Sequence, residues 1–272
     1  MPQQARHLVS VIMPAHNAAP WIAEAVRSVL EQTHRDLELL IVNDGSTDGT
    51  AAVLNGLNDP RIVRIDLPRN QGVSHARNLA LDRMRGDLVC FLDADDRMPP
   101  DAIAARVAVL EADPSLSFVD GTVERRDERM ERVLSTRTPS FSGEPLDRLL
   151  RFDPSCFLGN TWMIRREAIG SERFDTALSH AEDLHFYLRI ARGRRYGHTN
   201  ATVLHYRRAP GTSMTRLDAL ERSYRRVLRW MREHPELASP VQRLRAGYLV
   251  RRMMCGAWWK AGRPLKALLA WR

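Results

Sequence analysis

The stretch LELLIVNDGSTDGTAAVLNGL, residues 37–57, reads as a buried strand, a tight turn and a helix in sequence. Leu37–Val42 is almost continuously apolar, the pattern of a strand covered on both faces. Asn43-Asp44-Gly45 closes it with turn chemistry, and Ser46 or Thr47 is placed to cap a helix from Asp48 to about Leu57. The unit recurs on both sides. Upstream, Leu8–Met13 is a Val- and Ile-rich strand bounded by Pro14. Trp21, Ile22, Ala25, Val26, Val29 and Leu30 follow at helical spacing. Downstream come a strand at Ile62–Leu67, a helix at Ser74–Met84 and a strand at Leu88–Leu92. Pro99 and Pro100 open a helix that runs through Glu111 and stops at Asp113-Pro114, and Leu116–Val119 is a fifth strand. This alternation predicts an α/β fold: a mostly parallel, doubly wound sheet with helices on both faces. Ligands of such sheets bind at the carboxyl ends of the strands. The polar clusters Ala15-His16-Asn17, Asn43-Asp44 and Asp93–Asp96 all fall there.

A chain of 272 residues, 44% hydrophobic and 27% charged, is an ordinary globular composition for one large domain or two small ones. Collagen, coiled-coil and disordered classes are excluded. Cys90, Cys156 and Cys255 lack CxxC spacing, so neither a disulfide framework nor a zinc knuckle is expected, and a cytoplasmic setting is. The opening MPQQARHLVSVIMPAHN does not read as a secretory signal. No apolar run approaches the roughly 20 residues a spanning helix needs.

The net charge of +8 is uneven. Residues 216–272 carry fourteen Lys and Arg against four Asp and Glu, whereas residues 1–215 are close to neutral at −2. No acidic residue follows Glu236. Leu220, Tyr224, Val227, Leu228 and Met231 form an apolar helical stripe, with Arg222, Arg225, Arg226, Arg229 and Arg232 opposite. A further helical region spans about Val241–Trp258. This basic extension suits an anionic partner. A solvated helix face is the plainer alternative, because 39 of the 41 basic residues are arginine and the bias is chain-wide. Between 121 and 215 the pattern is less regular. Glu124–Arg132 is charge-dense and expected to be exposed, Thr138–Pro145 is a link, Thr161–Ile164 and Thr202–Tyr206 are candidate strands, and Glu182–Ile190 is a helix.

Asp93-Ala94-Asp95 sets two hard oxygen ligands just past a buried strand, which suits Mg²⁺ or Mn²⁺ held together with substrate phosphates. Alone, the triplet also reads as an acidic turn. Asp44 is either turn chemistry or an acceptor for the N–H of a pyrimidine base. Arg77 is either a solvated helix residue or a guanidinium facing a nucleotide. Asp183, after Glu182, either complements a helix dipole or serves as a general base.

Taken in order, VSVIMPAHN, ELLIVNDGSTDGT, NQGVSHARNLAL, GDLVCFLDADD and AEDLHFYLRIA resemble glycosyltransferase family 2, strongly over residues 8–120 and more weakly to 215. The resemblance implies a GT-A fold and an inverting, metal-dependent transfer from a nucleotide-activated sugar, with a lean to UDP. The acceptor would be a saccharide or lipid-linked hydroxyl, in polysaccharide or glycolipid synthesis. It implies that Pro14, Ala15, His16, Asn17 and Asp44 hold the base, that Asn70 and Arg77 line the nucleotide pocket, and that Asp93 and Ala94 meet the ribose. Asp95 would bind the Mn²⁺ or Mg²⁺, and Asp183 would be the catalytic base. Glu182 and the segment Asn160–Arg166, with Trp162, then Phe174-Asp175, look like an acceptor-side wall. Ala209 stands where many members carry His. His205 is the candidate replacement, or simply a strand residue. The expected organisation is a glycosyltransferase domain over residues 1–215, with its donor side in residues 1–120 and its acceptor side in residues 121–215, followed by a helical extension over residues 216–272.

The first strand is not followed by GxGxxG, and neither P-loop, HExxH nor GxSxG occurs. A sugar nucleotidyltransferase would carry a glycine-rich basic loop where Pro14-Ala15-His16-Asn17 stands. A non-catalytic module gripping nucleic acid or membrane through the basic helices is the other alternative. The arginines lack interleaved aromatics for base stacking, so no nucleic acid is expected. Between these two ligands an anionic membrane surface at the inner face of the cell membrane is preferred, where Trp258, Trp259 and Trp271 could sit at headgroup level. A solvated helix face is nonetheless commoner than either ligand role, and a buried core is the more usual place for tryptophan.

Overall fold

A computed structural model describes residues 7–208 and 216–270. The element order is β1 (Val9–Ala15), α1 (Ile22–Leu30), β2 (Leu37–Asp44), α2 (Thr50–Asn55), β3 (Ile62–Leu67), α3 (Val73–Leu81), β4 (Leu88–Phe91) and α4 (Ala102–Ala112). Then come β5 (Leu116–Arg126), β6 (Val133–Arg137), α5 (Leu146–Leu150), β7 (Met163–Arg165), α6 (Arg166–Ile169), α7 (Glu182–Ile190) and β8 (Arg195–Arg207). Three helices, α8 (Leu217–Glu233), α9 (Pro240–Lys260) and α10 (Pro264–Leu269), complete the chain.

The sheet runs β3-β2-β1-β4-β7-β5-β6, with β8 paired to β5. β1, β2, β3 and β4 are mutually parallel, as are β5 and β8, while β7 lies antiparallel between β4 and β5. Alternation along the strands builds a core on each face. Val9, Val11 and Met13 of β1 join Leu39 and Ile41 of β2 against α1 and α4. Ile12, Leu40 and Val42 point the other way, toward Ala76 and Ala80 of α3 and Leu184, Phe186 and Leu188 of α7. Each such aliphatic side chain withdrawn from water contributes roughly 1.5–3 kcal/mol. The doubly wound α/β expectation therefore holds. No helix among the described residues is long and apolar enough to cross a membrane.

Three local expectations need correction, concerning Glu124–Arg132, the cap of α2 and Trp258. Glu124–Arg132 is not simply an exposed charge run. β5 continues to Arg126, and a hairpin leads into β6. Its charges fold onto one another, with Arg126 donating to Glu124 Oε2 at 2.7 Å. Neither Ser46 nor Thr47 caps α2, because the Thr50 N–H donates to Asp48 Oδ1 at 2.9 Å instead. The apolar stripe of α8 is buried, with Val227 and Met231 in the same cluster as Leu184. Trp258 is buried too and donates its indole N–H to Glu221 at 2.8 Å. Trp259 is exposed, and Trp271 lies outside the described residues.

Candidate functional site

The carboxyl ends of β1, β2 and β4, together with α3 and the start of α7, enclose a cleft of about 380 Å³. Pro14, Ala15, His16, Asn17, Asp44, Asn70, Arg77, Asp93, Ala94, Asp95 and Glu182 all line it. Trp21, Val73 and Ser179 line it as well. The sequence marks Trp21 only as a helix residue, and nothing marks the other two.

Side chain to backbone bonds join the loops. Asn17 adopts φ +52°, a region Asn tolerates better than most residues. Its Oδ1 accepts the Thr47 N–H at 2.8 Å, and its own N–H donates to Ser46 Oγ at 3.0 Å. Ser46 and Thr47 therefore serve the cleft rim and not the helix. His16 Nδ1 lies 2.8 Å from the Asp44 carbonyl oxygen. A carbonyl only accepts, so Nδ1 carries a proton and donates it. Asp44 is 3% exposed. Its Oδ1 accepts from the Gln71 N–H at 2.7 Å and its Oδ2 from the Gly72 N–H at 2.8 Å. The carboxylate thus clamps the loop that leads into α3. Gly45 lets that loop come close: it has φ +62°, and a Cβ there would lie 2.2 Å from the Arg69 carbonyl carbon. Gly45→Ala is expected to lose at least about 2 kcal/mol, from the left-handed backbone and the overlap together. Urea unfolding measures this, and a loss within about 0.5 kcal/mol would mean that the loop is not clamped.

Arg77 is 2% exposed and centres the cleft wall. It donates to Asp93 Oδ1 at 2.8 Å and to Glu182 Oε1 at 2.9 Å. Its guanidinium carbon lies 5.4 Å from the centroid of Phe174 and 6.0 Å from that of Phe91. With the Asn160 amide oriented to satisfy both neighbours, its oxygen accepts from Arg77 at 3.2 Å and its nitrogen donates to Tyr187 Oη at 3.1 Å. Burial works against the charge of Arg77, but Asp93, Glu182 and Asp183 outweigh it and hold the group protonated. This guanidinium is an internal strut between β4 and α7, and it positions two of the cleft carboxylates.

Arg207 does the same for the acidic turn. It is buried, its N–H donates to Asp96 Oδ1 at 2.7 Å, and its Nε donates to the Asp95 carbonyl at 2.7 Å. A second arm pairs with Glu24. The carboxyl of Asp95 is raised to about 6 by burial and by the charge of Asp93. Two neighbouring carboxylates in one recess, with only oxygen donors, fit a hard divalent cation, which would relieve their repulsion. The described residues contain no group of three or more acidic, His or Cys side chains that would hold a metal alone. A cation here needs further oxygens from a ligand, as Mg²⁺ usually does in phosphate sites.

Asp183 begins α7 beside Glu182, after Ala181, which adopts a left-handed φ of +54°. Its carboxyl is raised to about 7, by burial first and then by Glu182, while the Leu184 N–H and Arg77 pull it down. A carboxylate titrating near neutrality is matched to taking a proton from a hydroxyl.

Two acceptor-side expectations are corrected. Trp162 is fully buried and stacks on Tyr187 at 4.1 Å, with its indole N–H donated to the Cys156 carbonyl at 2.9 Å. It belongs to the aromatic core, and Asn160 is the residue of that segment that reaches the cleft wall through Arg77. His205 is a strand residue. Its backbone pairs with that of Arg97, just past the acidic turn, and its Nε2 lies 3.4 Å from Glu124. Burial and Arg126 lower it to about 4, so it is neutral near pH 7. Ala209 lies outside the described residues.

A family model described as Glycosyl transferase family 2 matches residues 10–171. Chondroitin synthase from Escherichia coli is 32% identical over 230 residues, which cover 81% of this chain and 32% of that synthase. The chain thus spans about a third of that relative's length. Two solved structures share the fold. TarS 1-349 of S. aureus in complex with UDP-GlcNAc superposes with a TM-score of 0.66 at 20% identity, covering 81% of this chain and 65% of that one. The mannosyltransferase PcManGT from Pyrobaculum calidifontis, in complex with GDP-Man and Mn²⁺, gives 0.66 at 24% identity, covering 99% and 76%.

Proposed function

We propose that this chain, which belongs to glycosyl transferase family 2, moves a sugar from a nucleoside diphosphate donor to an acceptor hydroxyl with inversion at the anomeric carbon. The donor is a UDP-sugar, and the acceptor is a saccharide or lipid-linked glycan of cell-surface polysaccharide or glycolipid synthesis. One observation carries the reading: Asp44, Asp93, Asp95 and Glu182, distant in sequence, line a single cleft at the strand ends, and Asp183 is the next residue after Glu182. The solved UDP-GlcNAc complex of a protein with this fold supports the choice of donor. All three cysteines are free thiols, which supports a reducing compartment such as the cytosol.

In this reading the rim of His16, Asn17 and Asp44 holds the base, and Asp93 meets the ribose. Asp183 takes the proton of the acceptor hydroxyl as its oxygen bonds to the anomeric carbon. The bond from that carbon to the phosphate oxygen breaks, and the nucleoside diphosphate departs with the electron pair. A single displacement inverts the centre. Asp95 would hold Mn²⁺ or Mg²⁺, which supplies positive charge to the diphosphate leaving group. Arg77 keeps Glu182 and Asp93 in place around the reaction. Calorimetry with UDP tests the cation assignment. Mn²⁺ should tighten UDP binding to the wild type by at least about tenfold, or 1.4 kcal/mol, and leave Asp95→Asn unchanged. Equal Mn²⁺ enhancement in both proteins would remove Asp95 from this role.

A further inference from the structure

Three features of the C-terminal helices coincide. First, α9 buries Val250, Met254 and Trp258 on one side yet exposes a second apolar line, Val241, Leu244, Tyr248 and Trp259, at helical spacing. On α10, Leu265 and Leu268 are likewise exposed, and all six lie between 49% and 76% open to solvent. A helix apolar on two sides needs a second covering surface. Second, residues 240–270 carry seven cationic side chains and no acidic one. Third, a cavity of about 160 Å³ between α8, α9 and α10 is lined by Arg225, Arg229, Arg232 and Arg251 and by one acidic residue, Glu221, over an apolar floor that includes Leu228 and Met254. Arg225 pairs with Glu221 at 2.7 Å. Arg229, Arg232 and Arg251 have no salt-bridge partner among the described residues.

We propose that α9 and α10 form a docking surface for an anionic lipid bilayer, and that the arginine-lined cavity receives the phosphate of one headgroup. Apolar side chains that protrude from a cationic surface match the boundary between headgroups and acyl chains, with Trp259 and Tyr248 suited to that depth. A second copy of the chain is a poor occupant, because two-fold pairing through this face would set one cationic array against another. α8 links this surface to the body of the protein: Tyr224 and Leu228 pack both against the core cluster that holds Leu184 of α7 and against Val250, Met254 and Trp258. The inference does not rest on the transfer reaction, and its test reads binding alone.

Vesicle flotation with the full chain tests it. Vesicles of phosphatidylcholine and phosphatidylglycerol in equal amounts should carry the protein, and pure phosphatidylcholine vesicles should not. Arg229→Gln and Arg251→Gln should each weaken the partition about fivefold. Leu265→Ser with Leu268→Ser, at exposed positions that the fold does not need, should weaken it further. Excess inorganic phosphate should not release the bound protein. The proposal is overturned if no protein floats with anionic vesicles at low salt, or if the variants float like wild type. Saturable binding of free phosphate without flotation, or a dimer in sedimentation velocity without vesicle binding, overturns it too.

Discussion

Asp183→Asn should lower the transfer rate about 10²–10⁴-fold, the usual contribution of a positioned base, and leave UDP binding unchanged. Turnover of radiolabelled donor and calorimetry with UDP read the two effects separately. The pH profile adds a signature. With its carboxyl raised to about 7, Asp183 is protonated and unable to accept a proton below that value, so the wild-type rate should climb as pH passes through it. The same shift bears on stability. The folded carboxyl holds its proton more tightly than the unfolded one, so its contribution is full below pH about 4 and is lost as pH rises through about 7. The Asn variant has no charge to bury. It should therefore melt no lower than wild type at pH 8, an inactive protein at least as stable as the active one. Undiminished turnover would remove Asp183 from the chemistry. Lost turnover accompanied by a lower melting temperature at pH 8 would point to a structural role.

Arg77→Ala should unfold the protein far more easily without touching the reacting atoms. Removing one partner of a buried ionic network costs about 3–5 kcal/mol. The lower end applies here, because Asp93 keeps 45% of its side chain exposed while Glu182 keeps 14%. A loss of about 3 kcal/mol lowers the melting temperature by roughly 6–12 °C for a chain of this size, which calorimetry reads directly. Arg77→Lys should rescue little, because a single ammonium cannot reach two carboxylates and the Asn160 oxygen with the geometry of a planar fork. A melting temperature within about 2 °C of wild type in the Ala variant would show that this buried strut adds nothing to stability.

The strands β1, β2 and β4 are legible because burial on both faces leaves an almost unbroken apolar run, as in Leu37–Val42, ended by turn residues, while β3, at the sheet edge, shows in the alternation of Val63, Ile65 and Leu67 with Arg64 and Asp66. The cleft residues at the strand ends are legible for the same reason, since strand ends are where such a sheet exposes backbone and polar side chains. The outer hairpin is hidden because β6 is exposed along its length, and its only large apolar residues, Val133 and Leu134, are adjacent and so fall on opposite faces with no alternation. Trp162 was misjudged because sequence shows that a tryptophan is present and not which way it turns. The partners that bury it, Tyr187 and Phe118, are 25 and 44 positions away. Arg207 was hidden in a chain with 39 arginines, where composition masks the one that pins the acidic turn. The role of Asp44 as a backbone clamp was hidden because Gln71 and Gly72 contribute only main-chain N–H groups, which every residue but proline possesses.

The Asp44 clamp also bears on how such a protein changes over generations. Because the grip on residues 71 and 72 falls on amide hydrogens, the side chain of Gln71 is immaterial to it, whereas Gly72 holds φ +94°, a backbone that favours glycine. Arg69, Asn70 and Gln71 are all exposed at the mouth of the cleft. Arg69 and Gln71 can drift in composition while the path of the loop is kept, so the rim beside the cleft can vary at little cost to folding.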